Sequence, residues 1–395
     1  MKVIGIICEY NPLHLGHAEH IKRSRCAIGE DSAIVCVMSG NFVQRGDFAA
    51  FNKHARAKMA LLGGADLVVE LPSPYALLSA QGFAEAGVHM LNSLGFCEYI
   101  SFGSEAGDVN ILQEAANVIV SEKAQDIIKD WLSKGVSYAT AQQKAADSVM
   151  DDYSHVFSTP NNVLGIEYIK AVKKYDSAMK PITIKRVGGE HDSDAGYSAT
   201  AARKILFQNQ MPSDIMPQYA IDICNEEYMS GRGFVSIKDS ASETAVLSRL
   251  RMITDFSDIS GFSEGLENRF AEYAKKCVNI ESFAEQVKTK RYPMSRIRRT
   301  LMCAVLGIKN EHAMTQPPYI RVLGFNEIGK KLLASLRKNE ELQIITKPAS
   351  VYKMDKRATS LFELEARATD FYSLLYTSEE QRIGGQEWLA QPIIL

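Results

Sequence analysis

Paired cysteines and long apolar runs are both missing from this 395-residue chain. Its 7 cysteines are odd in number and form no C-x-x-C pair. That excludes a disulfide framework and a zinc ribbon. It predicts a reducing compartment, the cytoplasm, with most thiols buried as small hydrophobes. No run of about 18 apolar residues occurs, so no membrane span is expected. The first residues lack the charged region and small-residue cleavage site of a signal peptide. Neither G-x-x-x-x-G-K-[ST] nor G-x-G-x-x-G is present, which removes two common phosphate-binding loops. Charge of one sign is lacking too. The formal net charge is −2, so only local clustering can point to nucleic acid.

An apolar fraction of 46% and a charged fraction of 23% are those of a soluble globular chain, and the length predicts two or three domains. Short β-branched runs alternate with helical stretches over the first two hundred residues. Strands are expected at Val3–Cys8, Ala33–Met38, Asp66–Leu71, Tyr99–Phe102 and Ile182–Val187. Helices are expected at Ala18–Ala27, Ala55–Leu62 and Ala76–Leu94. This pattern predicts an α/β fold with a parallel sheet covered on both faces. The catalytic domain is expected over 1–205, with a helical insertion at about 105–160. A mostly helical, basic region follows over 206–315, and a small α/β unit closes the chain over 316–395. That last unit has strands at Tyr319–Phe325 and Leu342–Lys347 around a helix at Glu327–Arg337.

In parallel sheets ligands bind beyond the C-terminal strand ends. After the first expected strand stands Glu9-Tyr10-Asn11-Pro12-Leu13-His14-Leu15-Gly16-His17. With 8 His and 26 Gly, H-x-G-H arises by chance in roughly 1% of such chains. A helix N-terminus favours anions, and two imidazoles one turn apart can reach one phosphate, a geometry suited to the α-phosphate of a nucleoside triphosphate. The blander alternative is a surface helix with two histidines. Metal ligation by His14, His17 and His20 is disfavoured because no carboxylate stands at ligand spacing.

Other segments add chemistry. Arg45 and Asp47, in a glycine-flanked loop, suit the pocket of an acceptor carboxylate. Lys53, His54 and Arg56, at a helix start, read equally as a solvated face or as phosphate ligands. Gly103 would let a base or ribose approach the backbone. Asn162 reads as a ligand or an N-cap. Arg186 could hold a phosphate bidentately. Ser198 and Thr200, at a helix start, read as caps or as contacts to departing phosphates. Residues 286–309 carry Lys288, Lys290, Arg291, Arg296, Arg298, Arg299 and Lys309 with no Asp or Glu. With Tyr292 interleaved, this stripe suits an RNA backbone with splayed bases. Its alternative is a solvated helix paired with acidic neighbours.

Together these pieces identify a resemblance. The N-terminal half resembles the class I aminoacyl-tRNA synthetase and nucleotidylyltransferase superfamily, through H-x-G-H and the helix start Ser198-Ala199-Thr200-Ala201-Ala202-Arg203. More narrowly, the chain resembles the bacterial tRNA(Met) cytidine acetate ligase family along nearly its whole length. The matching stretches are Glu9–Pro12 with His14 and His17, Ser39–Asp47, Gly64–Pro72, Phe102–Glu105, Pro160–Gly165, Ile184–Arg186 and Lys290–Leu301.

The resemblance implies a Rossmann-like catalytic domain. It also implies an ATP-dependent ligase that makes acetyl-adenylate and acetylates N4 of the wobble cytidine of elongator tRNA(Met). The ATP site would be Ile7, Cys8, Glu9, Tyr10, Asn11, Pro12, Leu13, His14, Leu15, Gly16, His17, Ala18, Glu19 and His20, with Gly103, Asn162 and Arg186. His14, His17 and Arg186 would be catalytic, and Mg²⁺ would arrive with ATP rather than in a protein metal site. The basic segment from Lys288 to Arg299 would hold the tRNA. No stable protein partner is expected. The family turn carries Phe and Asn where this chain has Leu13 and Leu15. The alternative is a nucleotidylyltransferase that joins a nucleotide to a small phosphorylated acceptor.

Overall fold

A computed structural model describes residues 1–150, 154–186, 197–314, 316–336 and 343–395. Five parallel strands form its centre: β1 (Val3–Cys8), β2 (Ala33–Ser39), β3 (Leu67–Leu71), β4 (Tyr99–Ser104) and β5 (Lys180–Lys185). Their order in the sheet is β3-β2-β1-β4-β5. Side chains alternate across it. Val3, Ile7, Val35 and Val37 enter one core, while Ile4, Ile6, Ile34, Cys36 and Met38 enter the other. Each core is closed by helices, which is why these strands read as unbroken apolar runs. The fifth strand begins two residues earlier than expected, and Val187 lies outside the described residues.

The first helix, α1 (Leu15–Ile28), starts before the predicted Ala18 because His14 caps it. The predicted helix Ala76–Leu94 is two pieces, Ser73–Ala76 and Ala80–Ser93, since Ser79 opens a new helix by accepting from the Gly82 amide. The insertion contains helices Val109–Ile119, Glu122–Ser133 and Tyr138–Val149, opened by Asp108, Ser121 and Ser137 as caps. No helix among the described residues is long and apolar enough to cross a membrane.

The closing segment, expected as a small α/β unit, joins the main sheet. Its strand β6 (Ile320–Phe325) pairs antiparallel with β3, placing Arg321 opposite Glu70. Strands β7 (Ile344–Ile345) and β8 (Ile393–Ile394) then pair parallel with β6, so one eight-stranded sheet runs through the molecule. Arg337 and Leu342, the predicted ends of the helix and strand there, lie outside the described residues.

A buried ionic cluster explains the join. Lys53, at the start of α2 (Lys53–Leu62), donates to Glu70 at 2.7 and 2.8 Å and meets Glu387 at 2.7 Å. Arg321 meets the other Glu387 oxygen at 3.3 Å. Glu365 accepts from the Ser73 amide at 2.8 Å and its hydroxyl at 3.0 Å. Burial, then the Glu70 charge, pushes the Glu365 carboxyl up to about 8, so it keeps its proton at neutral pH. Two carboxylates then face two cations. Breaking such a pair strands a buried charge, at a cost of about 3–5 kcal/mol. Lys53→Met is therefore expected to lower the urea midpoint by an amount equivalent to that cost, and an unchanged midpoint would contradict the cluster's role.

Candidate active site

The turn after β1 is tied by hydrogen bonds to three other segments. Tyr10 adopts φ 45°, in the left-handed region, and the Asn11–Pro12 peptide bond is cis. Tyr10 and Leu13 are buried. The Asn11 side-chain oxygen accepts from the Ala50 amide at 2.6 Å. Its main-chain oxygen accepts from Arg203 Nη1 at 2.6 Å, which ties the turn to the helix Ala199–Phe207. Leu15 N donates to Ile215 O at 2.9 Å.

The H-x-G-H spacing has a specific local meaning. His14 is the N-cap of α1 and His17 is its third helical residue, and the two side chains form a reciprocal capping box. Gly16 N donates to His14 Nδ1 at 3.0 Å, and His14 N donates to His17 Nδ1 at 3.3 Å. The rings stack with centroids 3.7 Å apart and 29° between planes. A side chain at Gly16 would sit 2.9 Å from His14 Cε1, so glycine keeps the stack possible. Because each Nδ1 accepts a main-chain N–H, each neutral ring carries its proton on Nε2. Two Nε2–H donors are thus preset at a helix N-terminus. The alternative of two histidines on a surface helix is excluded for His14, which is 4% exposed.

Electrostatics keep these rings neutral. Burial first, then the Arg186 and Arg203 charges, pushes His14 down to about 3. Burial, then His14 and Arg186, holds His17 well below its ordinary value. Burial, then Arg186, pushes His20 down to about 4. His20 Nε2 lies 3.1 Å from Ser101 Oγ. Arg186, exposed at the end of β5, therefore acts on all three imidazoles, and its amide donates to Ser104 O at 3.0 Å. A side chain at Gly103 would sit 3.4 Å from Arg186 Cγ. The combination is cationic and rich in donors, and suits a polyanion.

Other expected residues take different places. Ile7 packs away from the turn, against Gly87. The half-buried Cys8 thiol is pushed up by burial and the neighbouring Cys36. Glu9 Oε1 accepts from the Gln44 amide at 2.6 Å, and burial raises its carboxyl. Ala18 N donates to His14 O at 3.1 Å, within the first helical turn. Glu19 is exposed and pairs with Arg23 at 2.8 Å, outside the cluster. Asn162 is buried, and its Oδ1 accepts from the Ala106 amide at 3.0 Å, which braces the loop after β4. Ser198 is an N-cap, accepting from Ala201 N at 3.1 Å, and Thr200 Oγ1 accepts from Arg203 Nη2 at 3.2 Å. Lys53 and Arg56 are neither a solvated face nor phosphate ligands, because both are buried. Arg56 holds main-chain carbonyls instead, a role that no residue pattern announced.

The basic segment is divided. Arg296 bonds Ser263 at 2.6 Å and Glu264 at 3.4 Å and stacks on Tyr292. Tyr292 is 6% exposed and donates its hydroxyl to Glu264 O, so it is no platform for a base. Arg291 lies 3.9 Å from Glu264, Lys288 3.5 Å from Glu285 and Lys309 3.1 Å from Asp258. Arg299 is half-buried, and burial lowers its pKa. Lys288, Lys290, Arg291 and Arg298 are exposed. The helix Met294–Leu306 carries Arg298 against the loop of Arg45 and Asp47. A side chain at Gly46, where φ is 73°, would lie 2.3 Å from the Arg298 carbonyl carbon.

The chain is similar to known proteins along nearly its whole length. A protein-family model described as HIGH Nucleotidyl Transferase matches residues 1–387. A tRNA(Met) cytidine acetate ligase of Acetivibrio thermocellus is 38% identical, with 100% of each chain covered. One of Caldicellulosiruptor saccharolyticus is 40% identical over 95% of this chain and 94% of its own. The crystal structure of Thermotoga maritima TmcAL bound with alpha-thio ATP superposes with a TM-score of 0.91 at 35% identity, covering 100% of both chains. Its apo form gives a TM-score of 0.93 at 34% identity, again over 100% of both chains.

The buried imidazoles carry a pH signature. Unfolded, they bind a proton near 6.5, whereas the native His14 and His20 wait until about 3 and about 4. The unfolded chain binds more protons in that window, so stability is expected to fall as pH drops from 6.5 towards 4. Ring NMR titration should find both histidines neutral at about pH 6, half a unit below the reference value. A titration midpoint at the reference value would contradict the burial argument.

Proposed function

The chain belongs to the tRNA(Met) cytidine acetate ligase family of HIGH nucleotidyl transferases, and on that footing we propose that it uses ATP to join acetate to N4 of the wobble cytidine of elongator tRNA(Met). The observation that carries this reading is the His14–His17 capping box. It leaves two Nε2–H donors and a helix N-terminus beside Arg186.

In the first step an acetate oxygen attacks the α-phosphorus of ATP. The bond to the β-phosphate breaks, acetyl-adenylate forms and pyrophosphate leaves. The residues supply position and charge rather than a nucleophile. His14 and His17 donate to phosphate oxygens, Arg186 neutralises charge beside them, and the α1 amides complete the cradle. An approaching anion also favours the charged imidazoles, so their suppressed basicity rises as phosphate enters. Mg²⁺ would neutralise phosphate charge, held by phosphate oxygens and water. Among the described residues no group of three His, Cys, Asp or Glu side chains is placed to hold a metal.

In the second step the cytidine amine takes the acetyl group and AMP leaves. Residues 1–205 would supply activation, and the region 206–315 would hold the tRNA through exposed Lys288, Lys290, Arg291 and Arg298. A cytoplasmic setting provides both ATP and tRNA. A nucleotidylyltransferase for a small phosphorylated acceptor fits less well, because the relatives matching the whole chain bear the ligase name.

Nucleoside mass spectrometry of unmodified tRNA incubated with the protein, ATP, Mg²⁺ and acetate tests the proposal. Acetylcytidine confined to one tRNA is expected, and His17→Ala should reduce its formation by about 10²–10³-fold. Folded wild-type protein that binds ATP yet gives no acetylcytidine would overturn the assignment.

A further inference from the structure

Asp47 follows Gly46, where the loop after β2 meets the helix that carries Arg298. It pairs with Val43 in a short hairpin, and its Oδ1 accepts from the Phe48 amide at 2.8 Å. The preceding Gly46 touches main chain of the helix that carries Arg298. A side chain there would lie 2.3 Å from the Arg298 carbonyl carbon and 2.4 Å from Arg299 N. Arg203 grips Asn11 O of the H-x-G-H turn and attracts Asp47. Asp47 thus follows a residue packed on the RNA-side helix and lies in the field of Arg203, a cation bonded to the nucleotide turn.

That place suits the second step better than the acetate pocket. A carboxylate beside acetate repels it, whereas an amine attacking a carbonyl must shed a proton. Resting on the function proposed above, we propose that Asp47 is the catalytic base of acetyl transfer, taking the proton from the cytidine N4 amine as that amine attacks the carbonyl of acetyl-adenylate. The C–N bond forms while the bond from the carbonyl carbon to the phosphate oxygen breaks. AMP leaves with that electron pair, the amine proton ends on Asp47, and water then removes it.

Glu9 is the competing carboxylate, and like Asp47 it has one oxygen held by a main-chain amide, that of Gln44. The cations acting on it, Arg45, Arg56 and Arg203, do not include Arg298. Burial raises the Asp47 carboxyl, while Arg203, Arg298 and Lys238 oppose that rise. Only the ionised form accepts a proton, so transfer should slow as pH falls through this raised value.

The test separates the two steps in the full-length protein. Acetate-dependent pyrophosphate exchange reads activation, and single-turnover transfer from preformed acetyl-adenylate to unmodified tRNA reads the second step. Asp47→Asn is expected to slow transfer by about 10²–10⁴-fold, far more than it slows exchange, and to erase the acidic limb of the transfer profile. Asp47→Glu should recover part of the rate. Equal slowing of both steps would assign Asp47 to the acetate or ATP pocket and overturn the proposal, as would wild-type transfer by Asp47→Asn. Absence of both steps in the folded wild-type protein would instead remove the function on which the proposal rests.

Discussion

The site depends on one buried arginine. Arg56 Nε donates to Phe51 O at 2.9 Å, Nη1 to Glu9 O at 2.5 Å, and Nη2 to Ser39 O at 3.0 Å and to Gly40 O. These carbonyls belong to the turn after β1, the end of β2 and the loop leading into α2. A planar guanidinium can serve them at once, because its donors form a fixed fork. Burying such a charge is expensive and tolerable only when its donors are matched. Removing it would orphan several carbonyls together, so the two loops that frame the site hold one relative position.

Charge is arranged around that frame in two different ways. On the nucleotide side, neutral imidazoles stand with Arg186 and Arg203, leaving positive potential and donors for phosphate. On the other side of the Arg56 clamp, Lys53, Glu70, Glu387 and Arg321 satisfy one another in a dry cluster. That cluster fastens the C-terminal strand to β3, and Lys53 and Arg56 stand on the same helix start. Fold and site are therefore joined through α2, by internally closed charge on one hand and charge aimed at carbonyls on the other.

Much of the frame was legible in the sequence. Unbroken apolar runs specify buried parallel strands, and H-x-G-H at a strand–helix junction supports the proposed anion site. The reciprocal capping was implicit in the three-residue spacing of His14 and His17, since an N-cap and the third helical residue stand in that relation. Other features had no local signal. Periodicity shows that Ile320–Phe325 is a strand but not that its partner is Leu67–Leu71, some 250 residues away. A run such as Lys53-His54-Ala55-Arg56 looks solvated, and only distant Glu70, Glu387 and main-chain carbonyls make it interior. Tyr292 likewise looked like a base platform until its hydroxyl found Glu264 O. Composition reports which groups must be satisfied, and tertiary contact decides where.

The most direct test of this account is acetate-dependent pyrophosphate exchange by Arg56→Lys, measured without RNA and with folding checked by circular dichroism. Lysine keeps the charge and loses the fork, so the loops should shift while the sheet persists. A folded variant whose exchange falls about a hundredfold is expected, since an ångström of misplacement can cost that much. A folded variant exchanging at the wild-type rate would contradict the claim that the Arg56 clamp sets the geometry of the site.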